Sequence, residues 1–599
     1  MGQGNGNRSV LRAARLRARH GFALEATLMI MVLFGVLILA AVGGIGWAMR
    51  TTSTDIQGTR VNYATEGGAE SVMASLEAGM ADGFLDDAEL AALAPPSMPG
   101  ITFETFAAAR EGSPFSQPVT EGPYAGLFSL NQRINITVQA RDGINNRSRS
   151  IVTVNAQAIP VFQMGVFYQD DLEIHPGAAM VFEGWIHTNA NLYLSANNST
   201  YRSIITTPDS VFWQRKDSNQ RLNGVFINNN AAVATALNFD SRSTTAAQFV
   251  ANSETMYNSR LKSGASGATE LRLPLPTGMA PTELVAPRSM ADNAQVQEVK
   301  FAWRADWHIT VPMNAAGFAI AASNLCETGA GNPTIRDGSN GAGTSVPPVG
   351  TGSGDCGGIF QLTNAAFHEG RENTMVDVVN IRMDRLRTWI NGSVGDRRTR
   401  IMYITFVRTD GLPITRYPAV RLQNGSQLQG PITIATDRPL YVWGNFNSTA
   451  PWFPASLASD ALTFLSACWV DANQLVFIRR DACASGTTMN VYAAVAAGHS
   501  ATTCDWQRAG CAAPNYGGGL ENFPRFLENW SGRTLLYRGS LVSLFTSQYA
   551  RLQNWNWRAY YSAPNRDWRF DTRFNDPANM PPGTPMVGSV FQVAYRPVY

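Results

Sequence analysis

The chain has 599 residues, of which 45% are hydrophobic and 15% charged, and its 47 basic and 45 acidic side chains nearly cancel. A balance so close to neutral argues against a dedicated nucleic-acid surface, which is normally strongly basic. The length also exceeds what one ordinary hydrophobic core supports, so we expect more than one structural unit.

The first 21 residues form a basic leader without any acidic residue. Its charged residues are Arg8, Arg12, Arg15, Arg17 and Arg19. Without this leader, 42 basic residues face 45 acidic ones, which gives a net charge of −3. Basic residues before an apolar helix favour a cytoplasmic leader and export of the chain that follows.

A long apolar segment follows the leader. Ala26–Met49 contains no charged residue and is closed by Arg50. A helix of this length reaches about 36 Å, which is enough to cross a bilayer core. A cleaved signal peptide has a shorter apolar region and ends in a small-residue cleavage site, so it fits poorly. A plain signal anchor remains an alternative.

The junction of leader and apolar segment resembles the class III signal of the type IV pilin group. Gly21 precedes Phe22, and Glu25 lies just before the uncharged run. The resemblance implies that a prepilin peptidase cuts between Gly21 and Phe22, and that Phe22 becomes the methylated N-terminus. It also implies that Glu25 acts in filament assembly. The glutamate of the group is fifth after the cut, whereas Glu25 is fourth.

The polar continuation of the helix is similar to the N-terminal region of large PilX-type minor pilins. The segment Ala64-Thr65-Glu66-Gly67-Gly68-Ala69-Glu70 occupies the place of their A-x-E-A-G element. Blocks at 167–194, 435–447, 518–530 and 579–585 also resemble elements of such proteins with β-rich ectodomains. The resemblance implies a surface-exposed minor pilin whose partners are other pilins, pilus assembly proteins, the prepilin peptidase and the inner membrane.

Strand signals dominate beyond residue 122. Residues 134–140 and 150–158 alternate apolar and polar side chains on either side of Asp142-Gly143, which predicts a hairpin. Short strands are predicted at Ile432–Ala435, Leu440–Trp443, Ala461–Leu465, Val491–Ala497 and Thr534–Val542. The spacing at Val376–Ile390 predicts an isolated helix. Short strands that recur without a fixed repeat favour a β-solenoid-like body, with a β-sandwich as the alternative.

These observations predict a long transmembrane, pilin-like α-helix followed by a mainly β exported body with a few helices. The expected order is a basic leader at 1–21, the transmembrane helix and stalk at 22–80, a linker at 81–122, the start of the β-rich ectodomain at 123–195, an insertion at 196–300, and the β-rich ectodomain with disulfide loops at 301–599.

All six cysteines lie on the exported side, where an oxidising compartment favours disulfides. They are Cys326, Cys356, Cys468, Cys483, Cys504 and Cys511. Fifteen pairings are possible, and we expect the sequential one, since each pair would close a self-contained loop. A zinc site is disfavoured because no Cys-x-x-Cys pair occurs.

Other candidate sites are weak. The carboxylates of Asp170, Asp171 and Glu173 could bind a cation but follow no known loop pattern, and His175 and His187 fit structural histidines better than a metal pair. An aromatic set could stack on carbohydrate, although core packing is the favoured role; it comprises Trp443, Phe446, Trp452, Phe453, Trp530, Trp555 and Trp557. We expect no catalytic residue, metal or cofactor.

The sequence therefore favours a non-enzymatic, membrane-anchored minor pilin-like protein that acts in type IV pilus assembly or surface attachment. It would reside in the inner membrane with its ectodomain in the periplasm, or at the cell surface within a pilus. The alternatives are a membrane-anchored β-helical carbohydrate-active enzyme and a stand-alone adhesin. Fold alone does not decide among them, because one fold can host many functions.

Overall fold

The computed structural model describes residues 20–80, 85, 87–218, 220–271, 273, 275–276, 278–320, 335–337, 358–391, 400–474, 481–502, 517, 519–551 and 561–598. Its helices are α1 (His20–Gly79), α2 (Asp87–Ala91), α3 (Ala246–Tyr257), α4 (Ala294–Val299), α5 (Phe301–Arg304) and α6 (Met383–Asn391). Its strands are β1 (Ile101–Pro118), β2 (Phe128–Asp142), β3 (Arg147–Pro160), β4 (Val166–Tyr168), β5 (Leu172–Ile174), β6 (Met180–Phe182), β7 (Ile186–Thr188), β8 (Leu192–Leu194), β9 (Ala196–Tyr201), β10 (Ile205–Thr206), β11 (Val211–Phe212), β12 (Asn223–Asn228), β13 (Ala234–Ala236), β14 (Leu261–Lys262), β15 (Trp307–Asn314), β16 (Gly317–Phe318), β17 (Ile335–Asp337), β18 (Phe360–Glu369), β19 (Thr374–Arg382), β20 (Ile401–Arg408), β21 (Tyr417–Gln423), β22 (Ile432–Thr436), β23 (Pro439–Trp443), β24 (Ala455–Ser459), β25 (Ala461–Leu465), β26 (Thr488–Tyr492), β27 (Ala494–His499), β28 (Pro524–Phe526), β29 (Thr534–Gly539), β30 (Leu541–Thr546), β31 (Asn565–Phe570) and β32 (Met586–Val598).

The second half of α1 packs on a four-stranded antiparallel sheet with the strand order β1-β2-β3-β32. Alternation in β2 and β3 places their aliphatic side chains on one face, because successive side chains of a strand point to opposite faces. Ala69, Val72 and Leu76 of α1 contact this face and are buried with it. We call residues 61–80, which comprise the second half of α1 and the residue that follows it, together with this sheet, the platform.

A large body is inserted between two neighbouring strands of the platform. Pro160 at the end of β3 and Met586 at the start of β32 are register partners. The chain therefore leaves the sheet at Pro160, forms residues 161–585, and returns beside the point of departure. We call residues 161–585 the inserted body. Its entry and exit at adjacent strands leave the platform sheet intact.

One long wall of parallel strands runs through the inserted body. Its order is β14-β10-β7-β4-β30-β27-β24-β22-β20-β15. The chain starts in the middle at β4 and winds outward to β14, and the segment 263–306 then carries it to the opposite end. From β15 it winds back until β30 pairs with β4. Each turn of the chain adds one strand, or rung, to this wall. The rungs from β4 to β14 and those from β15 to β30 thus meet in the middle of one continuous wall.

The inner face of this wall is a ladder of aliphatic side chains that pair strand by strand. It runs Met402, Ile434, Leu457, Val495, Leu541, Val166, Ile186, Ile205 and Leu261. All of these residues are buried in one hydrophobic core. Because each rung adds its apolar residue to the same column, the stack stabilises itself through neighbouring rungs.

The outer face of the wall is covered by the segment 263–306, which we call the strap. Ala435, Ala458 and Ala496 pair in register on successive strands and are buried beneath it. Their small side chains let the strap lie close to the wall, and Tyr403 Oη anchors it by donating to the Val285 carbonyl oxygen at 2.8 Å. The strap therefore turns an outer surface into a second core.

The other strands of the inserted body complete the rungs. A second wall has the order β18-β19-β21-β23-β25-β28, and shorter parallel sets contain β5-β8-β11, β6-β9-β12 and β26-β29-β31. Parallel pairing between successive rungs is typical of a solenoid, whereas sandwiches are built from antiparallel strands. The predicted class, an N-terminal apolar helix followed by a mainly β body, is confirmed, and the body is solenoid-like.

Two segments that the sequence assigned to a linker and an insertion contain regular strands. The linker predicted at 81–122 contains β1, which pairs with β2 along most of its length. β1 is an edge strand with mainly exposed side chains, so its alternation is weak in the sequence. The insertion predicted at 196–300 contains β9 to β14, which extend the rungs, and then the strap. Its polar loops between short strands obscured the repeat.

The helix predicted at Val376–Ile390 is wrong over its first half. Residues 374–382 form β19, which lies between β18 and β21, and α6 begins only at Met383. Six consecutive residues of β19 are buried, because one of its faces belongs to the main core and the other packs with Trp469 and Leu527. A continuous apolar run of this kind cannot be distinguished from a buried helix by periodicity alone.

The hairpin prediction is confirmed, since β2 and β3 pair on either side of Asp142-Gly143. Strands also occur at Ile432–Thr436, Pro439–Trp443 and Ala461–Leu465. The predicted runs Val491–Ala497 and Thr534–Val542 each contain a sharp corner that divides them into two strands, β26 with β27 and β29 with β30. Such corners join adjacent walls of the body.

Candidate membrane anchor and assembly surface

The first half of α1 presents an apolar surface that nothing in the described chain covers. Leu24–Met49 is long and apolar enough to cross a membrane, and none of it is buried. Large exposed apolar surfaces normally mark membrane or protein contacts, because water disfavours them. At 1.5 Å per residue, the 26 residues span about 39 Å, which exceeds the thickness of a typical hydrocarbon core.

The residues expected at the processing site lie at the start of this helix. α1 begins at His20, so the backbones of Gly21 and Phe22 belong to its first turn. Glu25 lies one turn further along, and its side chain is exposed. Within the described part of the chain, Glu25 forms no hydrogen bond or ion pair.

The second half of α1 is held against the platform sheet by close packing at glycine. A Cβ atom at Gly68 would lie 2.9 Å from the Phe103 ring and 3.0 Å from Val138 Cγ1. Glycine therefore permits an approach between helix and sheet that any other residue would widen. Glu66, on the exposed side of the same turn, accepts a hydrogen bond from Tyr595 Oη of β32 at 3.2 Å.

The last strand adds a second exposed apolar surface. β32 forms one edge of the platform sheet, and Phe591, Val593 and Tyr595 are between 39% and 51% exposed. An edge strand carries unpaired backbone groups, which makes it a ready contact for another chain. The contact of Tyr595 with Glu66 places this edge beside the second half of α1.

The residues considered for metal binding have other partners. Asp171 forms an ion pair with Lys216 at 2.9 Å and accepts a hydrogen bond from the Asn191 backbone. The His187 ring contacts Thr206 Oγ1 at 2.6 Å and Asn189 Oδ1 at 2.8 Å, and burial lowers its pKa to about 4. Among the described residues, no group of three or more potential ligands could hold a metal ion.

His175 and Glu173 are also part of the interior. The His175 ring Nδ1 lies 3.2 Å from the Ser195 carbonyl oxygen, and its Nε2 lies 3.5 Å from Glu173 Oε2. The His175 backbone amide donates to Glu521 Oε2 at 3.1 Å. Asp170 contributes its carbonyl oxygen as an acceptor for Thr188 Oγ1. These contacts join neighbouring rungs and assign the cluster a structural role.

The aromatic set does not form a single carbohydrate-stacking surface. Phe446 and Trp530 are buried in the core, Trp443 packs against the Arg421 guanidinium, and Phe453 is half-buried. Trp452 is 44% exposed, but the Arg573 guanidinium lies over its ring. Trp555 and Trp557 lie outside the described residues. Packing therefore explains most of the set.

One predicted cysteine pair lies within the described residues. Cys468 and Cys483 are joined by a disulfide with a Cα–Cα distance of 5.3 Å. The bond closes the loop that follows β25. The remaining expected partners, Cys326 with Cys356 and Cys504 with Cys511, lie outside the described residues, and their pairing stays a prediction.

A buried ion pair near this loop was not foreseen from the sequence. Arg421 is 1% exposed, and its two terminal nitrogens donate to Asp471 Oδ1 and Oδ2 at 2.6 and 2.8 Å. Its Nε donates to Asn380 Oδ1 at 2.7 Å. The only sequence signal is an arginine between two core-facing strand residues, and its partner lies 50 residues away.

The described chain thus defines a class of protein: a membrane-length N-terminal helix followed by a mainly β body. No family model and no curated protein matches the chain. Among solved structures, it is similar to the crystal structure of the competence-associated pilin ComZ from Thermus thermophilus, with 12% identity and a TM-score of 0.26. The likeness covers 90% of this chain and 97% of that one. The class is therefore defined by the chain's own helix and sheets and not by this likeness.

Proposed function

We propose that the chain is a minor pilin-like surface protein that acts in type IV pilus assembly or surface attachment and catalyses no reaction. In this proposal the apolar half of α1 anchors the chain in the inner membrane until other pilins take it into a filament. A prepilin peptidase removes the leader after Gly21. The inserted body then stands outside the membrane, in the periplasm or at the cell surface.

The observation that supports the proposal is the division of α1 into two halves with different surroundings. One continuous helix of 60 residues is uncovered over its apolar half and packed on an antiparallel sheet over its polar half. A helix that only anchors a protein needs no such packing beyond the membrane. In a filament, the same packing would fix the direction in which the inserted body is presented.

Glu25 offers the sharpest test of this proposal. Within a filament of apolar helices, Glu25 is tolerable only if a neighbouring amine or hydrogen-bond donor neutralises it, because an unpaired buried ion costs about 3–5 kcal/mol. In a simple anchor, Glu25 would instead lie near the cytoplasmic interface, in contact with water and headgroups. The two functions therefore differ in the role that they give to this carboxylate.

We expect Glu25→Ala to leave membrane insertion unchanged and to remove the protein from sheared surface filaments. Immunoblots of membrane and sheared fractions measure both quantities. Glu70→Ala is the matched control, because Glu70 lies exposed on the same helix beyond the membrane segment. If the wild-type chain never appears in sheared filaments and Glu25→Ala behaves identically, a stand-alone anchored adhesin explains the chain better. Entry of Glu25→Ala into filaments at the level of Glu70→Ala would instead contradict the assembly role of Glu25.

A further inference from the structure

A cavity of about 630 Å³ opens at the corner of the inserted body beside α6. Among the described residues, two of the rungs have no strand that would extend the set β26-β29-β31 at this corner. α6 follows β19 in one rung, and residues 424–431 connect β21 to β22 in the next. The segment that returns to the platform closes the opposite side through Met580 and Pro582. The cavity volume lies within the range of small-molecule sites.

The floor of the cavity is apolar and belongs to the main core. Met383 and Leu386 of α6, with Leu428 and Ile432 of the next rung, line it and are almost fully buried. The half-buried Phe453 ring contributes to the wall. An acyl segment placed here would bury its own CH₂ groups against this floor, and each buried CH₂ group contributes about 0.8 kcal/mol.

Two arginines line the same cavity. Arg387 is half-buried, and its Nη1 donates to the Gln427 side-chain oxygen, while Arg400 is exposed. Among the described residues, no carboxylate forms an ion pair with either guanidinium. Neighbouring arginines differ in this respect, since Arg382 pairs with Asp384 at 2.9 Å and Arg416 pairs with Asp377. The cavity therefore combines an apolar floor with two guanidiniums that have no ion-pair partner among the described residues.

We propose that this cavity binds a small anionic amphiphile, with an acyl tail on the apolar floor and a carboxylate or phosphate head at Arg387 and Arg400. Guanidinium groups bind both heads through paired, charge-assisted hydrogen bonds. A neutral amphiphile would leave both guanidiniums without a counter-charge, and a cationic one would be repelled. A purely ionic ligand would make no use of the apolar lining. This inference does not depend on the pilin-like function.

The test uses a photoreactive decanoate carrying a diazirine on its tail, with the full-length chain in phosphatidylcholine nanodiscs. After irradiation, mass spectrometry of the digested chain locates the labelled residues. We expect labelling concentrated at residues 383–387 and 428–432. Unlabelled decanoate or decyl phosphate should suppress it, and whichever suppresses at lower concentration identifies the preferred head. Neutral decanol should suppress it at least about tenfold less well, because it cannot form charge-assisted bonds.

The double variant Arg387→Gln/Arg400→Gln keeps hydrogen-bonding capacity but removes both charges, and we expect it to lose at least about tenfold in labelling at this site. Arg385→Gln is the matched control, because Arg385 is exposed on α6 and does not line the cavity. Labelling confined to the membrane helix, equal suppression by decanol, or equal labelling of the double variant and the control would each overturn the proposal.

Discussion

Replacing Asp471 with alanine is expected to lower the free energy of unfolding of the inserted body by about 3–5 kcal/mol, because it leaves a buried guanidinium unpaired. Arg421 is enclosed between the Trp443 and Phe367 rings, and Asp471 binds both of its terminal nitrogens. The substitution also removes the acceptor for Trp469 Nε1. Denaturant unfolding followed by tryptophan fluorescence measures the change.

An exposed ion pair supplies the control for this prediction. Arg202 pairs with Glu183 at 2.7 Å, but its side chain is 49% exposed. Arg202→Ala is expected to cost less than about 1 kcal/mol, since water screens such pairs. Arg421→Met should be less damaging than Asp471→Ala, because it removes the buried charge itself. If Asp471→Ala costs no more than Arg202→Ala, burial of the Arg421 charge does not govern stability here.

Replacing Gly588 with valine is expected to separate the end of α1 from β32 and to destabilise the platform by about 1–3 kcal/mol, as overpacking does in close-packed interiors. A Cβ atom at Gly588 would overlap the Met80 carbonyl oxygen and lie 2.6 Å from Met80 Cβ. The obstacle is backbone, which cannot rotate aside as a side chain can. Hydrogen exchange of residues 69–80 and 586–598 should accelerate, while β20 to β30 stay protected.

The matched control is Gly143→Val in the turn between β2 and β3. A Cβ atom at Gly143 has no other atom within 4 Å, so a larger side chain meets only solvent. Exchange in the platform should stay close to that of the wild type. Equal acceleration in both variants would mean that the helix–strand contact at Gly588 contributes nothing specific, and acceleration throughout the inserted body would mean that the two parts unfold together.

Local signals made part of this architecture predictable from the sequence. The uncharged run Ala26–Met49 identifies a membrane-length helix by composition, and the turn at Asp142-Gly143 between alternating segments identifies the β2–β3 hairpin. Each signal lies within a few tens of residues. The disulfide between Cys468 and Cys483 also closes a short loop, and the favoured sequential pairing includes it.

Pairings over long sequence distances could not be predicted in the same way. Met586 pairs with Pro160, and Leu541 pairs with Val166, although the chain between them contains almost the whole inserted body. Strands of three to six residues are too short to show a clear alternation of apolar and polar side chains. The loops between them vary in length, so the sequence does not indicate which strands pair. The position of the strap could not be predicted either, because its apolar residues pack on small alanines that lie far away in the sequence.

The candidate sites also differ in whether their residues are close together or far apart in the sequence. Gly21, Phe22 and Glu25 are recognisable because their order along the chain carries the signal. The cavity beside α6 is lined by residues between 383 and 582, which only the fold brings together. Which arginines have ion-pair partners is likewise known only from the structure. The predicted helix at Val376–Ile390 illustrates the same limit, because pairing with β18 and β21, which are distant in sequence from its second half, decided the conformation of β19.

N-terminal sequencing, combined with the intact mass of the protein isolated from its native membrane, tests the pilin-like account most directly. The account predicts a mature chain that begins at Phe22 with a methylated amine, because the peptidase cuts before the apolar helix and leaves that helix in place. A chain that still begins at Met1 would indicate a plain signal anchor. A chain that begins beyond Met49 would indicate a cleaved signal peptide, and either result would contradict the account.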